Sequence, residues 1–216
     1  MGERYSTYPV FLLLEGKPVL VVGGGEVALR KVQGLLQSKA DVTVVAPGFC
    51  KGIEELGRQD RIRLIKRPVV DEDLDGMALV VAGTSDGDVN YLVFEAARER
   101  GILINVVDEP KLCDFFVPSQ IHRGDLTIAI STSGSAPGLS KYFRKDISSS
   151  LSPELGIFVD LIKTAREKIR EMFPGDDQAQ KRKDMLEAVL NSQVRRLVEQ
   201  GSLKEAGNLV DRIICN

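Results

Sequence analysis

Residues 18–28 read Pro-Val-Leu-Val-Val-Gly-Gly-Gly-Glu-Val-Ala, and the fold turns on this stretch. Pro18 to Val22 is a short, Val-rich apolar run of the kind that forms a buried strand, and it stops at three glycines. A helical pattern follows, with Val27, Leu35 and Leu36 apolar and Arg30, Lys31 and Gln33 polar. A second β-like run, Val42 to Ala46, is then stopped by Pro47-Gly48. Strand, glycine turn, helix and strand make a βαβ unit of about 30 residues, the length a parallel crossover needs. Gly23, Gly25 and Ala28 occupy the key positions of GxGxxA. The first glycine permits the tight turn, the second lets a pyrophosphate approach the backbone, and the small third residue lets the helix pack closely on the strands. The helix start then offers free N–H groups and its positive end to the phosphates. This predicts dinucleotide contacts from Gly23, Gly24, Gly25, Glu26 and Val27, with Ala46 and Pro47 closing the second strand beside them. A purely structural glycine turn is the alternative. The acid that normally binds the ribose at the end of the second strand is missing, and no arginine replaces it, so this chemistry does not choose between NAD and NADP.

Outward from this unit the alternation continues. A short helix is expected over Ile53 to Leu56, a third strand over Arg61 to Lys66, a fourth over Met77 to Ala82, a helix over Val89 to Arg100, and a fifth strand over Ile102 to Val107. Runs apolar on both faces suit a parallel sheet covered by helices on each side. The expected class is therefore α/β, a Rossmann-like doubly wound parallel sheet, followed by a small α+β segment and a helical C-terminal part. The expected divisions are 1–113, 114–150 and 151–216. Phe115-Phe116-Val117 and Leu126 to Ile130 are two further strand candidates, joined through His122 to Asp125 with a turn at Gly124-Asp125. Beyond Pro137 the pattern is helical. Ser152-Pro153-Glu154 marks one helix start, Pro174-Gly175 a break, and helices are expected over Gln178 to Gln200 and Ser202 to Ile214.

A net charge of −2 supplies no basic field for nucleic acid or an anionic membrane surface, so neither is expected as a partner. Cys50, Cys113 and Cys215 form no CxxC pair, which fits a reducing, cytoplasmic setting better than a zinc site or a disulfide framework. Val10 to Leu14 is too short for a signal core or a membrane span. Met1-Gly2 with Ser6 formally fits a myristoylation pattern, a short motif that arises often by chance. With His122 as the single histidine, a multi-histidine metal site is excluded.

The run from Pro9 through Val21 to Lys31 resembles the precorrin-2 dehydrogenase family, the dehydrogenase part of siroheme synthase and its stand-alone relatives. The likeness continues in Ala82 to Asp86 with Asn90, in Asn105-Val106-Val107-Asp108, in Phe115 to Ser119, and in Ile130 to Pro137. These ordered blocks are together far more specific than one glycine motif. The resemblance implies oxidation of precorrin-2 to sirohydrochlorin with NAD as acceptor. It also implies, in some members, insertion of ferrous iron by the same cleft as a ferrochelatase. It further implies a homodimer, with 114–150 as dimerisation segment, and a form without the fused methyltransferase domain.

On that resemblance Asp108, which closes the fifth strand, matches the family's catalytic aspartate. A carboxylate there can accept the proton that accompanies hydride loss, or steady positive charge on pyrrole nitrogens. The alternative is a turn residue before Glu109-Pro110. Asn105 in the same block, and Thr84, Ser85 and Asp86 after the fourth strand, are candidate cofactor contacts; Ser85 or Asp86 could equally cap the next helix. Ser131, Thr132 and Ser133 either hydrogen-bond substrate carboxylates or cap the helix near Ala136. Thr132 stands where relatives carry serine. Lys111 and Arg123, with Lys141, Arg144 and Lys145 nearby, could meet the eight carboxylates of precorrin-2. His122 is either a solvated turn residue or, like Asp108, a transient contact for iron as substrate. No permanent metal is expected. The rival class is a non-catalytic dinucleotide sensor acting through its helical tail.

Overall fold

The computed structural model describes residues 5–215, so the Met1-Gly2 motif lies outside the described residues. These residues form two compact units, 5–117 and 118–215.

The first unit is built on five parallel strands, β1 (Pro18–Val22), β2 (Asp41–Val45), β3 (Arg63–Ile65), β4 (Leu79–Ala82) and β5 (Leu103–Val106), in the order β3-β2-β1-β4-β5. Helix α1 (Glu26–Gln37) crosses from β1 to β2, α2 (Lys51–Arg58) from β2 to β3, and α3 (Gly87–Glu99) from β4 to β5. Val22 pairs with Val45 on one side and Ala82 on the other, so the strand order reverses at β1. The carboxyl edge beside β1 is thus the switch point where such sheets bind ligands.

Alternate residues of each strand feed two cores. Leu20, Val22, Val80, Ala82, Ile104 and Val106 pack with Val93, Phe94 and Ala97 of α3. Val19, Val21, Val42, Val44 and Val81 pack on the opposite face with Ala28 and Val32 of α1 and Ile53 of α2. Burial on both faces is why these strands read as continuous apolar runs. The third strand is shorter than expected, although Ile62 just before it is buried. The crossover from β3 to β4 carries only a 3₁₀ turn, Asp71–Leu74, fastened by Arg67 forking onto Asp73 at 2.7 Å through both nitrogens.

The second unit opens with an antiparallel hairpin, β6 (Ser119–Arg123) and β7 (Leu126–Ile130), whose turn at Gly124-Asp125 lies where expected. Its first strand is not Phe115–Val117. Pro118 brings no N–H to a ladder, and Phe115 instead packs into the core under α1. His122 and Arg123 consequently lie in the strand, paired with Thr127 and Leu126. Gly124 takes φ +58°, a positive value suited to the first central position of a two-residue hairpin turn.

Helix α4 (Pro137–Ser150) follows, then α5 (Leu155–Met172), α6 (Ala179–Leu190), α7 (Val194–Glu199) and α8 (Leu203–Cys215). Ala165, Ile169, Val189, Val194, Val198, Ala206, Val210 and Ile214 form their shared core. Ser152 does not cap α5: its hydroxyl is buried without a partner, and the helix starts at Leu155. The helix expected over 178–200 is broken at 191–193. There the Ser192 hydroxyl donates to Val189 O at 2.6 Å and accepts from Val194 N at 3.2 Å, a local alternative to the helical ladder. No helix among the described residues is long and apolar enough to cross a membrane.

Candidate functional site

The glycine turn is shaped by contacts that exclude side chains. Gly23 has φ +128°, and a Cβ built on it would lie 2.6 Å from Gly83 O at the end of β4. A Cβ on Gly24 would lie 1.8 Å from Gly48 O in the loop after β2, which closes over the turn through Cys50 N bonding Gly24 O at 2.7 Å. Gly25 differs: a Cβ there meets nothing within 4 Å. It caps α1 without a side-chain bond, and the first helical bond runs from Leu29 N to Gly25 O. The N–H groups that open α1, from Glu26 and Val27 onward, therefore have no side-chain cap among the described residues and could hold a phosphate. Ala28 is 1% exposed, seating the helix on the sheet. Ala46 is buried, with its methyl beneath Gly24, while Pro47 is exposed. This combination of a tight turn, open space at the second glycine and uncapped N–H groups fits a dinucleotide pyrophosphate.

The loop after β4 stands on the same edge. Asn90, buried on α3, takes Thr84 N on its amide oxygen at 3.1 Å and donates its amide nitrogen to Thr84 O at 3.1 Å. Thr84 is thereby fixed, and Asp86 accepts from Asp88 N and Val89 N as the cap of α3. The capping alternative thus describes Asp86, while Ser85 stays exposed.

The loop after β5 is the third part of the edge. Asp108 is exposed, takes φ +63°, and its carboxylate accepts no hydrogen bond among the described residues. A left-handed non-glycine residue is a sparsely populated state, held by its surroundings and tolerated best by Asp and Asn. Here the surroundings are explicit. Asn105, 5% exposed, donates to Phe115 O at 3.0 Å and accepts Lys31 Nζ at 3.2 Å. Cys113 Sγ sits 3.1 Å from Val106 O and takes Val106 N at 3.3 Å. Asp114 receives Ile104 N on its carboxylate at 3.0 Å and returns its own N–H to Ile104 O at 2.9 Å. Burial pushes the Lys31 ammonium below its ordinary lysine range, opposed by the electrostatic influence of Cys113 and Asp108. Burial likewise raises the Cys113 thiol, against a backbone bond from Val106 and the charge of Lys31. Asn105, expected at the cofactor, therefore spends its amide inside the loop. Lys31 and Cys113 were not foreseen as part of this cluster. The signal available was Asn105 itself, a polar residue in an apolar strand that must find a partner. Lys111 lies exposed in the same loop.

In the second unit the hydroxyl loop is internally bonded. Thr132 Oγ1 accepts from Ala136 N at 3.2 Å and from the Ser140 hydroxyl at 3.3 Å, so it ties the loop to the start of α4, which has no side-chain cap of its own. Ser131 Oγ accepts from Ser133 N at 3.1 Å, and Ser133 itself takes φ +51°. Arg123 turns inward: its guanidinium reaches Ser148 O and Leu151 O at the end of α4, both at 3.2 Å. His122 is exposed and bridges Thr127 Oγ1 at 3.0 Å and Gln120 Oε1 at 3.1 Å. Lys141, Arg144 and Lys145 lie on one face of α4, at the spacing of one helical turn. Among the described residues no three His, Cys, Asp or Glu side chains are grouped to hold a metal.

A parallel sheet reversing at β1, with an uncapped glycine turn there, defines a Rossmann-type dinucleotide-binding protein. A family model described as NAD(P)-binding matches residues 10–119, just over half of the chain, and one described as sirohaem biosynthesis protein central matches residues 123–150. Among solved structures, the chain is similar to SirC, precorrin-2 dehydrogenase, with 30% identity and a TM-score of 0.79 over 95% of this chain and 100% of that one. It is 36% identical over 206 residues to the siroheme synthase of Pseudoalteromonas translucida, and 37% identical over 207 residues to that of Thioalkalivibrio sulfidiphilus. These matches cover 95% and 96% of this chain but only 43% and 42% of those proteins, so the chain spans less than half the length of the curated relatives it matches. The chain belongs to the precorrin-2 dehydrogenase family.

Proposed function

We propose that this protein oxidises precorrin-2 to sirohydrochlorin, with NAD as hydride acceptor, as a cytoplasmic homodimer. One observation carries the proposal: Asp108 presents an unclaimed carboxylate from a braced loop, on the same sheet edge as the uncapped glycine turn. The resemblance to SirC, precorrin-2 dehydrogenase, over that protein's whole length supports it.

Bound NAD supplies the hydride acceptor. The turn Gly23 to Gly25, with the amides of Glu26 and Val27, would hold its pyrophosphate, with Ala46, Pro47 and the Thr84 to Asp86 loop lining the nucleotide. Loss of hydride from precorrin-2 must be matched by loss of a proton, and Asp108, with no internal donor to release first, would accept that proton at its carboxylate oxygen. Candidate partners for the substrate's carboxylates are Lys111 in the first unit and, taken separately, Lys141, Arg144 and Lys145 on α4 and the Ser131 to Ser133 hydroxyls in the second. Arg123 would serve mainly to hold the hairpin on the end of α4. We assign dimerisation to 114–150, where Leu139, Tyr142 and Phe143 leave large apolar surface exposed on α4.

The test is anaerobic turnover of precorrin-2, followed by NADH absorbance, with NAD and NADP compared separately. NADH formation with stoichiometric sirohydrochlorin is expected. Dinucleotide binding without turnover would instead favour a sensor. Adding ferrous iron to the same assay reads chelation against the uncatalysed rate, and light scattering after gel filtration reads the dimer.

A further inference from the structure

We propose that Lys31 is a positioning residue for Asp108, acting through Asn105 and the loop that follows β5. The proposal rests on the reading of Asp108 as the proton acceptor.

Lys31 lies on α1, one turn beyond the buried Ala28 and next to the buried Val32, so its stem runs along the sheet towards β5. Its ammonium ends half-buried on Asn105 Oδ1, 3.2 Å away. Lysines are seldom drawn away from water unless their charge has a use. The ionisable groups that act on it are Arg30 on its own helix, and Asp108 and the Cys113 thiol from the loop. Asn105 carries the tie onward, since its amide nitrogen holds Phe115 O at 3.0 Å and approaches Cys113 Sγ at 3.4 Å. Phe115 and Cys113 are the far end of the loop whose near end bears Asp108 at φ +63°. The loop is therefore closed from below by one cation held on the helix that starts at the glycine turn. The helix that receives the cofactor phosphates at its N-terminus also supports the residue that takes the proton.

Two consequences separate this role from ordinary packing. Removing the cation should slow the chemical step and leave dinucleotide binding alone, because Lys31 lies beyond the N-terminal turn of α1. A second cation of similar reach should restore the step.

The experiment compares Lys31→Met, Lys31→Arg and Asp108→Asn with the wild type. For Lys31→Met, kcat should fall about tenfold or more while KM for NAD stays within about twofold. Lys31→Arg should recover most of the loss. Adding Lys31→Met to Asp108→Asn should cost little more, because coupled residues are not additive. Amide exchange supplies a readout independent of turnover: peptides spanning 107–115 should exchange about tenfold faster in Lys31→Met and not in Lys31→Arg. A folded Lys31→Met protein with unchanged kcat, or with unchanged exchange over 107–115, overturns the proposal, as does a loss that arginine does not rescue. If the wild type fails to turn over precorrin-2, the activity falls, and the exchange measurement alone decides Lys31.

Discussion

The loop after β1 and the loop after β5 leave the same edge of one sheet, and they are made in opposite ways. The first works by lacking side chains. Gly23 and Gly24 bring backbone against Gly83 and Gly48, Gly25 leaves space, and the groups left open are main-chain amides. The second works by side chains. Lys31, Asn105, Cys113 and Asp114 hold a single carboxylate in a left-handed backbone at the loop's near end. A site that binds phosphate needs many weak, fixed donors, which the backbone supplies wherever a helix begins. A site that accepts one proton needs one group at one place, and a loop on the sheet's edge strand must be braced to provide it. The sharpest way to break this contrast is Asp108→Asn. Turnover should fall about 10²- to 10⁴-fold, the range for losing a positioned base, with NAD affinity and melting temperature unchanged. Calorimetric binding together with the anaerobic assay would show both halves.

The glycine loop can be divided within itself. Gly24→Ala forces a methyl to within 1.8 Å of the Gly48 carbonyl, where only backbone movement gives relief. A cost of about 3 kcal/mol, or roughly 10 °C in melting temperature, is expected for overpacking of this kind, with loss of NAD binding alongside. Gly25→Ala meets nothing in the protein and sits at φ −89°, a value any residue adopts. Its melting temperature should match the wild type, while its Kd for NAD rises about tenfold as the methyl occupies the ground where the pyrophosphate approaches. Equal effects of the two substitutions on stability would show that the turn is structural throughout.

The same contrast explains what the sequence disclosed. Backbone function is written in local terms, so Gly23, Gly25 and Ala28 after a Val-rich run were enough to place the turn, the helix and the switch point of the sheet. Side-chain function depends on residues remote in sequence. Lys31 and Asn105 are 74 positions apart, and helical periodicity marks Lys31 only as polar. Arg123 is a similar case: near a hairpin turn it reads only as a cation, and the bonds it makes to the last carbonyls of α4 are remote in sequence. The hairpin's first strand was misplaced because apolar content suggested Phe115–Val117, while the side chain of Phe115 belongs to the preceding core and the polar run Ser119–Arg123 carries the ladder.

Asp114 offers the smallest and most local test of how the second loop is braced. β5 is an edge strand, so the Ile104 N–H and carbonyl on its open side have no neighbouring strand. Asp114 satisfies both, the amide with its carboxylate at 3.0 Å and the carbonyl with its own N–H at 2.9 Å. Asp114→Ala keeps the second bond and removes the first, which should cost about 1–2 kcal/mol, because an amide loses a charged acceptor at a place water partly reaches. Asp114→Asn retains an acceptor oxygen and should recover most of that cost. Chemical denaturation would give both values, and exchange at the Ile104 amide would localise them. Turnover should fall only a few-fold in Asp114→Ala, since Lys31 and Cys113 still hold the loop from its other side. A loss as large as that of Asp108→Asn would mean that the strand-side bonds set the position of the carboxylate and that the cation beneath them does not.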